Sequence, residues 1–140
     1  MLQFFVNNQF NLFKVDKQFK KKVQDICTQI SQIHKNDALF EISFINDSYM
    51  KKLNNKYAKN NHTTDVLSFT INEHNLLGEI FISVPFAKKE AQRLNTTFQQ
   101  EIYLLIIHGI LHLIGFDHCN KTQTKVMFDL QDKILKQILI

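Results

Sequence analysis

The sequence contains few of the residues that build covalent frameworks or flexible linkers. Its 140 residues include two cysteines, one proline, three glycines and no tryptophan. Two cysteines are too few for a disulfide framework, and no secretory signal opens the chain, so we expect a reduced, cytoplasmic setting. No stretch is rich in proline, glycine or serine and no internal repeat is present, so we expect one domain over residues 1–140.

Long apolar runs are missing as well. The most apolar stretch, residues 102–116, is shorter than the roughly 20 residues that a bilayer-spanning helix needs, and it contains two histidines. It therefore predicts a buried helix rather than a membrane span, and we expect no membrane partner.

Apolar and basic residues, by contrast, are plentiful. The chain is 44% hydrophobic and contains thirteen phenylalanines, enough to fill one sizeable core. Its formal net charge is +4 and its pI is about 9.1, a moderate basic bias that is compatible with a polyanionic partner but does not establish one.

Hydrophobic periodicity divides the chain into alternating strands and helices. Strands are predicted at 2–6, 39–45, 66–69 and 78–83, the last two joined by a polar hairpin connection at 72–75. Helices are predicted at 16–33, 46–57, 85–93, 98–113 and 121–140, with Asp16 as an N-cap and Pro85 in a first turn. The expected fold is α/β (α+β), a small mixed four-stranded sheet covered by about five helices, with helix 98–113 buried centrally.

Residues 108–118 carry the strongest chemical signal, because they read HGILHLIGFDH. On a helix, His108 and His112 lie one turn apart on the same face, with about 5–6 Å between their Cβ atoms. Gly115 is a natural helix stop, after which the chain can turn back and deliver His118 to the same ion. Three neutral imidazoles suit Zn²⁺ best and leave a fourth tetrahedral position open, so we predict a catalytic metal site.

The same spacing occurs in the metzincin proteases, with one difference. Those enzymes carry glutamate directly after the first histidine as the general base, whereas this chain has Gly109 there. Glycine costs about 1 kcal/mol relative to alanine inside a helix. We therefore expect a reason for its presence, such as keeping side-chain atoms away from the open coordination position.

Residues next to the motif allow more than one interpretation. Asp117 could act as a base, orient an imidazole or simply stabilise the turn after Gly115. Asp65 could support the cleft or form a turn before a strand. If the Cys119 thiolate closed the fourth metal position, the site would become structural, but a residue that follows a ligating histidine normally points elsewhere.

Several basic residues could line a path for RNA, although scattered cations usually form a solvated surface. They are Lys56, Lys59, Lys88, Lys89 and Arg93.

Four segments resemble, in the same order, the motifs of one known family. Residues 64–69 (TDVLSF) match its strand motif, residues 78–80 (GEI) match its strand start, and residues 108–118 match its histidine signature. Met127, followed by Ile134 and Leu135, resembles its C-terminal helix. On these residues the chain resembles the YbeY family of metal-dependent endoribonucleases, over most of its length.

The resemblance implies Zn²⁺ on the three histidines and hydrolysis of single-stranded RNA during 16S rRNA 3′-end maturation and ribosome quality control. The implied partners are the 16S rRNA precursor and the small ribosomal subunit, and no DNA is expected. Asp117 and Lys59 are the candidate catalytic residues, and the candidates for substrate binding are Lys56, Thr64 and Asp65.

The chain departs from the family pattern at two positions. Ala58 stands where the family usually has arginine, so Lys56 or Lys59 would have to supply the lost charge without the bidentate fork of a guanidinium group. Thr63 stands where the family has proline. A metzincin-like peptidase and a ribosome assembly factor with a structural metal remain as alternative functions.

Overall fold

One mixed sheet forms the centre of the protein, whose structure is a computed structural model that describes residues 1–58 and 64–140. Its strands are β1 (Leu2–Asn7), β2 (Ala38–Ile45), β3 (Val66–Glu73) and β4 (Leu76–Ser83). Their spatial order is β1-β2-β4-β3. β1 and β4 run parallel to β2, whereas β3 pairs antiparallel with β4 and is an edge of the sheet.

Five helices accompany the sheet within the described ranges, and the predicted α/β fold is confirmed. They are α1 (Lys17–Ser31), α2 (Asp47–Ala58), α3 (Val84–Leu94), α4 (Phe98–Leu113) and α5 (Lys121–Ile138). Polar side chains begin them, as the sequence predicts for α1, where the Asp16 carboxylate accepts a hydrogen bond from the Phe19 N–H. Asn46 caps α2 in the same way, through the Tyr49 N–H.

The hairpin between β3 and β4 is tighter than predicted. Its turn consists of His74 and Asn75, which have φ angles of 51° and 67°. A two-residue hairpin turn of type I′ requires a positive φ at both residues, because its twist then matches that of the strands. β3 therefore extends to Glu73, into the polar segment that sequence patterning assigns to a loop, because strand pairing there does not require apolar side chains. β4 begins at Leu76, two residues earlier than predicted.

Helix α4 is buried at the centre of the fold, as predicted. Ten of its sixteen residues are buried, and it contacts α1, α3 and α5 as well as β3 and β4. Among the described helices, none is both long and apolar enough to cross a bilayer. A helix that is apolar on nearly every side is thus buried by its neighbours.

Gly109 lies where α4 approaches the sheet most closely. A Cβ atom at this position would be 2.7 Å from Cγ2 of Ile80, a fully buried residue of β4. The glycine therefore faces the core, and its physical role is to let the helix pack onto the strand. The expectation that it clears the open coordination position is replaced by this packing role.

This contact predicts the effect of a single methyl group. Gly109→Ala should lower the free energy of unfolding by about 1–3 kcal/mol through overpacking, although alanine has the higher helix propensity. Urea denaturation of the purified protein measures the change. Ile80→Ala removes the atoms that the new methyl group meets, so the double variant should lose less stability than the sum of the single variants. Strictly additive losses would contradict the predicted contact.

Candidate metal centre

The three predicted histidines lie together at the C-terminal end of α4. His108 and His112 project from consecutive turns of the helix, and their ring centroids are 4.8 Å apart. The His118 ring, which comes from the segment after the helix, is 5.7 Å from His108 and 4.9 Å from His112. One nitrogen from each ring lies within 4.8 Å of the others, so the cluster could hold a metal ion.

A helix-ending motif brings His118 back to the cluster. Gly115 has a φ of 109°, and its N–H donates to the His112 carbonyl over 3.1 Å. The next N–H, of Phe116, donates to the Leu111 carbonyl over 2.9 Å. These two bonds form a Schellman motif, which ends a helix with a left-handed residue and reverses the chain. The predicted helix stop at Gly115 is confirmed.

The surroundings of the cluster favour neutral imidazoles. Burial lowers the pKa of His108 and of His112, and the neighbouring histidines lower both further. Neutral imidazole is the form that binds a metal ion. In a tetrahedral zinc site, bonds of about 2.0–2.1 Å place the ligand nitrogens roughly 3.4 Å apart, so small side-chain rotations would close the present spacing. The donor set therefore fits a divalent transition metal.

Helix α5 supplies two contacts that sequence patterning did not identify. The Gln131 Oε1 atom lies 2.8 Å from Nδ1 of His108. The Phe128 ring lies 6.2 Å from His108 and 6.3 Å from His118, and it is 40% exposed. Gln131 could have been recognised as the polar residue within the buried stripe of α5, where its neighbours are Met127 and Ile134.

A cavity of about 280 Å³ opens in front of the histidines. Its lining also includes four residues of the edge strand β3, of which Ser68 and Thr70 carry hydroxyl groups. The Ser68 hydroxyl also lies 3.5 Å from the Gly109 carbonyl, so the strand is held against α4. The site thus combines three imidazoles with neutral hydroxyl donors.

Asp117 and Cys119 interact with each other beside the cluster. The Asp117 carboxylate accepts hydrogen bonds from the His118 N–H over 2.7 Å and from the Cys119 thiol over 3.0 Å. The same carboxylate lies 3.5 Å from Nδ1 of His118. These bonds lower the pKa of Asp117. Within the described residues the group that could hold a metal ion comprises the three histidines, and Cys119 is not part of it.

The predicted substrate-binding residues Lys56, Thr64 and Asp65 are not among the residues that line this cavity. Lys56 is exposed on the last turn of α2, with its Nζ atom 5.1 Å from the centre of the Tyr57 ring. Thr64 donates to the Asp65 carboxylate over 3.4 Å at the start of β3. Lys59 and Thr63 lie outside the described residues.

Two further basic residues have other contacts. Lys88 lies 5.5 Å from the centre of the Phe98 ring, near the opposite end of α4 from the histidines. Arg93 forms a two-bond ion pair with Glu90. Neither residue belongs to the wall of the histidine cavity within the described part of the chain.

Two carboxyl groups, those of Glu101 and Asp65, have raised pKa values. Glu101 is 4% exposed, and burial raises its pKa, as do the charges of Asp65 and Glu90. Burial likewise raises the pKa of Asp65, and hydrogen bonds from the backbone N–H groups of Val66 and Asp65 partly offset this increase. The interior behind the histidines is therefore poorly suited to additional negative charge.

Comparisons with known proteins agree with this geometry. The family described as Endoribonuclease YbeY matches residues 5–139. An Endoribonuclease YbeY of Sulfurihydrogenibium sp. is 37% identical over 126 residues, covering 85% of this chain and 83% of the relative. That of Persephonella marina is 34% identical, covering 99% and 94%. A solution structure from Thermotoga maritima superposes with a TM-score of 0.63 at 26% identity, covering 99% and 89%.

The fold and the site are those of an α/β protein with a three-histidine cluster that could hold a metal ion. The chain belongs to the Endoribonuclease YbeY family. This membership supports an endoribonuclease role, that of a hydrolase acting on RNA.

The buried Glu101 carboxyl predicts a pH-dependent stability difference. Its pKa is raised in the folded state above the usual 4.5, so its stabilising contribution is present below pH 4.5 and lost as the pH rises through the folded pKa. Glu101→Gln should therefore be as stable as the wild type in acid and more stable at neutral pH. Urea denaturation at a series of pH values measures this difference. A pH-independent difference would contradict the raised pKa.

Proposed function

We propose that this chain is a metal-dependent endoribonuclease, specific for single-stranded RNA, that acts in 16S rRNA 3′-end maturation and ribosome quality control. The observation that carries the proposal is the cluster of His108, His112 and His118 beside an open sheet edge, in a member of an endoribonuclease family. The proposed partners are the 16S rRNA precursor and the small ribosomal subunit in the cytoplasm. One domain, residues 1–140, would carry this function.

The three imidazoles would hold one divalent ion, for which Zn²⁺ is the preferred candidate. When bound, such an ion supplies Lewis-acid polarisation of a phosphoryl oxygen. The protein contributes the neutral donors, because burial already disfavours the protonated forms of His108 and His112.

The chain's own residues would receive the RNA from the side of β3. Ser68 and Thr70 line the cavity with the histidines, and the Thr70 hydroxyl would donate a hydrogen bond to a phosphate oxygen. We propose single-stranded RNA as the substrate because its flexible backbone could follow the edge strand into the cavity of about 280 Å³. We propose that Lys56, Lys59, Thr64 and Asp65 contact the nucleotides on either side of the one that enters the cavity.

Asp117 has a proposed supporting role. Its lowered pKa keeps the carboxylate ionised, and its position 3.5 Å from Nδ1 suits it to orient the His118 ring. A role as general base is the alternative for the same carboxylate. RNA carries its own nucleophile, the 2′-hydroxyl group, so a strong protein base is less essential than for peptide hydrolysis.

Gly109 argues against a peptidase. The glutamate that serves metzincins as a base is missing, and a side chain at this position would meet Ile80 in the core. Phosphodiester cleavage depends less on that group, which is why the ribonuclease proposal is preferred.

The proposal first predicts metal binding. The purified protein should contain or take up about one equivalent of a divalent transition metal, and His112→Ala should lose it. His34→Ala, which changes a partly exposed histidine at the end of α1, should retain it as the matched control. Elemental analysis after dialysis with zinc measures the stoichiometry. Wild-type protein that remains metal-free would contradict the proposed site.

The second prediction concerns cleavage of single-stranded RNA. Removing one ligand forfeits several kcal/mol of charge stabilisation, so His112→Ala should cleave a labelled RNA oligonucleotide at least about 100-fold more slowly than wild type. Gel electrophoresis of the products measures the rate, with folding matched by circular dichroism. A DNA oligonucleotide of the same sequence, which lacks the 2′-hydroxyl group, should remain intact.

The control and the contrary outcomes are distinct. His34→Ala should cleave RNA like the wild type, and a chelator should abolish cleavage in both proteins. Equal activity in wild type and His112→Ala would indicate a contaminating nuclease and defeat the proposal. If His112→Ala lost stability while RNA binding persisted and no preparation cleaved RNA, an assembly factor with a structural metal would be favoured. Preferential cleavage of a peptide would favour the peptidase.

A further inference from the structure

We propose that Gln131 is a positioning residue that fixes the tautomer and orientation of His108 for metal binding. This inference rests on the metal site of the proposed function, and it assigns a role to a residue that contacts a ligand rather than the metal or the RNA. Its basis is the 2.8 Å contact between the Gln131 Oε1 atom and Nδ1 of His108.

The contact determines which ring nitrogen carries the proton. An amide oxygen can only accept a hydrogen bond, so Nδ1 of a neutral His108 must be the donor. The proton on Nδ1 leaves Nε2 with its lone pair, and Nε2 is the nitrogen free to face the other two imidazoles. Gln131 thus selects the tautomer in which His108 can ligate a metal together with His112 and His118.

Packing holds the amide in place. Gln131 is 8% exposed and lies on α5 one turn from Met127, which is fully buried, and close to Ile134, which is 3% exposed. These apolar neighbours restrict the rotamers of the glutamine, so little conformational entropy remains to be lost when His108 binds a metal. A buried amide without a hydrogen-bond partner would lower the stability of the fold. The imidazole N–H of His108 supplies this partner for Gln131.

The hydrogen-bond partner of His108 is a neutral amide rather than a carboxylate. Ligating histidines often donate to a carboxylate, which increases the basicity of the ligand. With Gln131 the ring keeps its orientation but receives no negative charge. Glutamate at this position should therefore preserve the hydrogen bond and hold a cation at least as strongly.

Metal affinity provides the main test. Wild type, Gln131→Met and Gln131→Glu are stripped of metal, and their Zn²⁺ affinities are measured by competition with a chromophoric chelator. Methionine keeps the approximate length of the side chain without an acceptor, so Gln131→Met should bind Zn²⁺ about 10–100-fold more weakly. Gln131→Glu should bind at least as tightly as wild type. The matched control is Gln137→Met on the exposed face of α5, which should bind like wild type.

A second measurement does not depend on the metal. In ¹⁵N-edited NMR spectra of the metal-free wild type at a pH where His108 is neutral, the ring should carry its proton on Nδ1. Gln131→Met should shift the population toward the Nε2–H form. A role limited to packing would change the thermal stability without changing the tautomer.

Each contrary result has a separate meaning. Gln131→Met with affinity within about twofold of wild type, or a wild-type His108 protonated on Nε2, would overturn the role of Gln131. If Gln131→Met failed to fold, the wild-type tautomer and the Gln131→Glu affinity would still decide the question. A wild type that bound no Zn²⁺ would contradict the proposed metal site, whereas a wild type that bound Zn²⁺ but cleaved no RNA would contradict only the proposed reaction.

Discussion

The packing of α4 against β4 is the constraint on which the site depends. Gly109 allows the helix to approach Ile80 so closely that no side chain fits between them. This contact fixes the rotation of the helix about its axis, because only the glycine side can face the strand at that level. His108 and His112 are consequently held at the cavity beside β3, and the distance between the imidazoles and the strand hydroxyls follows from the same contact.

The chemistry of the site follows from this burial. Removal from water disfavours protonated imidazole, and it raises the pKa values of the Asp65 and Glu101 carboxyl groups for the same physical reason. Neutral donors face the cavity, and the carboxylate nearest to the cluster, Asp117, lies on its exposed side. Neutral imidazoles would leave the positive charge of a bound divalent ion uncompensated. Such a site would attract an anionic phosphodiester.

Local geometry explains why so much of the fold and the histidine cluster could be predicted. The spacing of His108 and His112, the helix stop at Gly115 and the cap at Asp16 are all determined within a few residues by helix geometry. The turn at His74 and Asn75 was less predictable, because polar residues can adopt either loop or ladder conformations. Where a strand ends in a polar segment depends on its hydrogen bonds to the neighbouring strand.

The sequence by itself determined the element order, the α/β class and the three histidines that meet at the C-terminal end of α4, because hydrophobic periodicity and short-range hydrogen bonding specify them. Only the tertiary structure decided that Gln131 contacts His108, that Ser68 and Thr70 line the cavity with the histidines, and that Gly109 faces Ile80. These contacts join residues far apart in the chain. Their partners depend on how helices and strands pack and rotate against one another, and no local pattern contains that information.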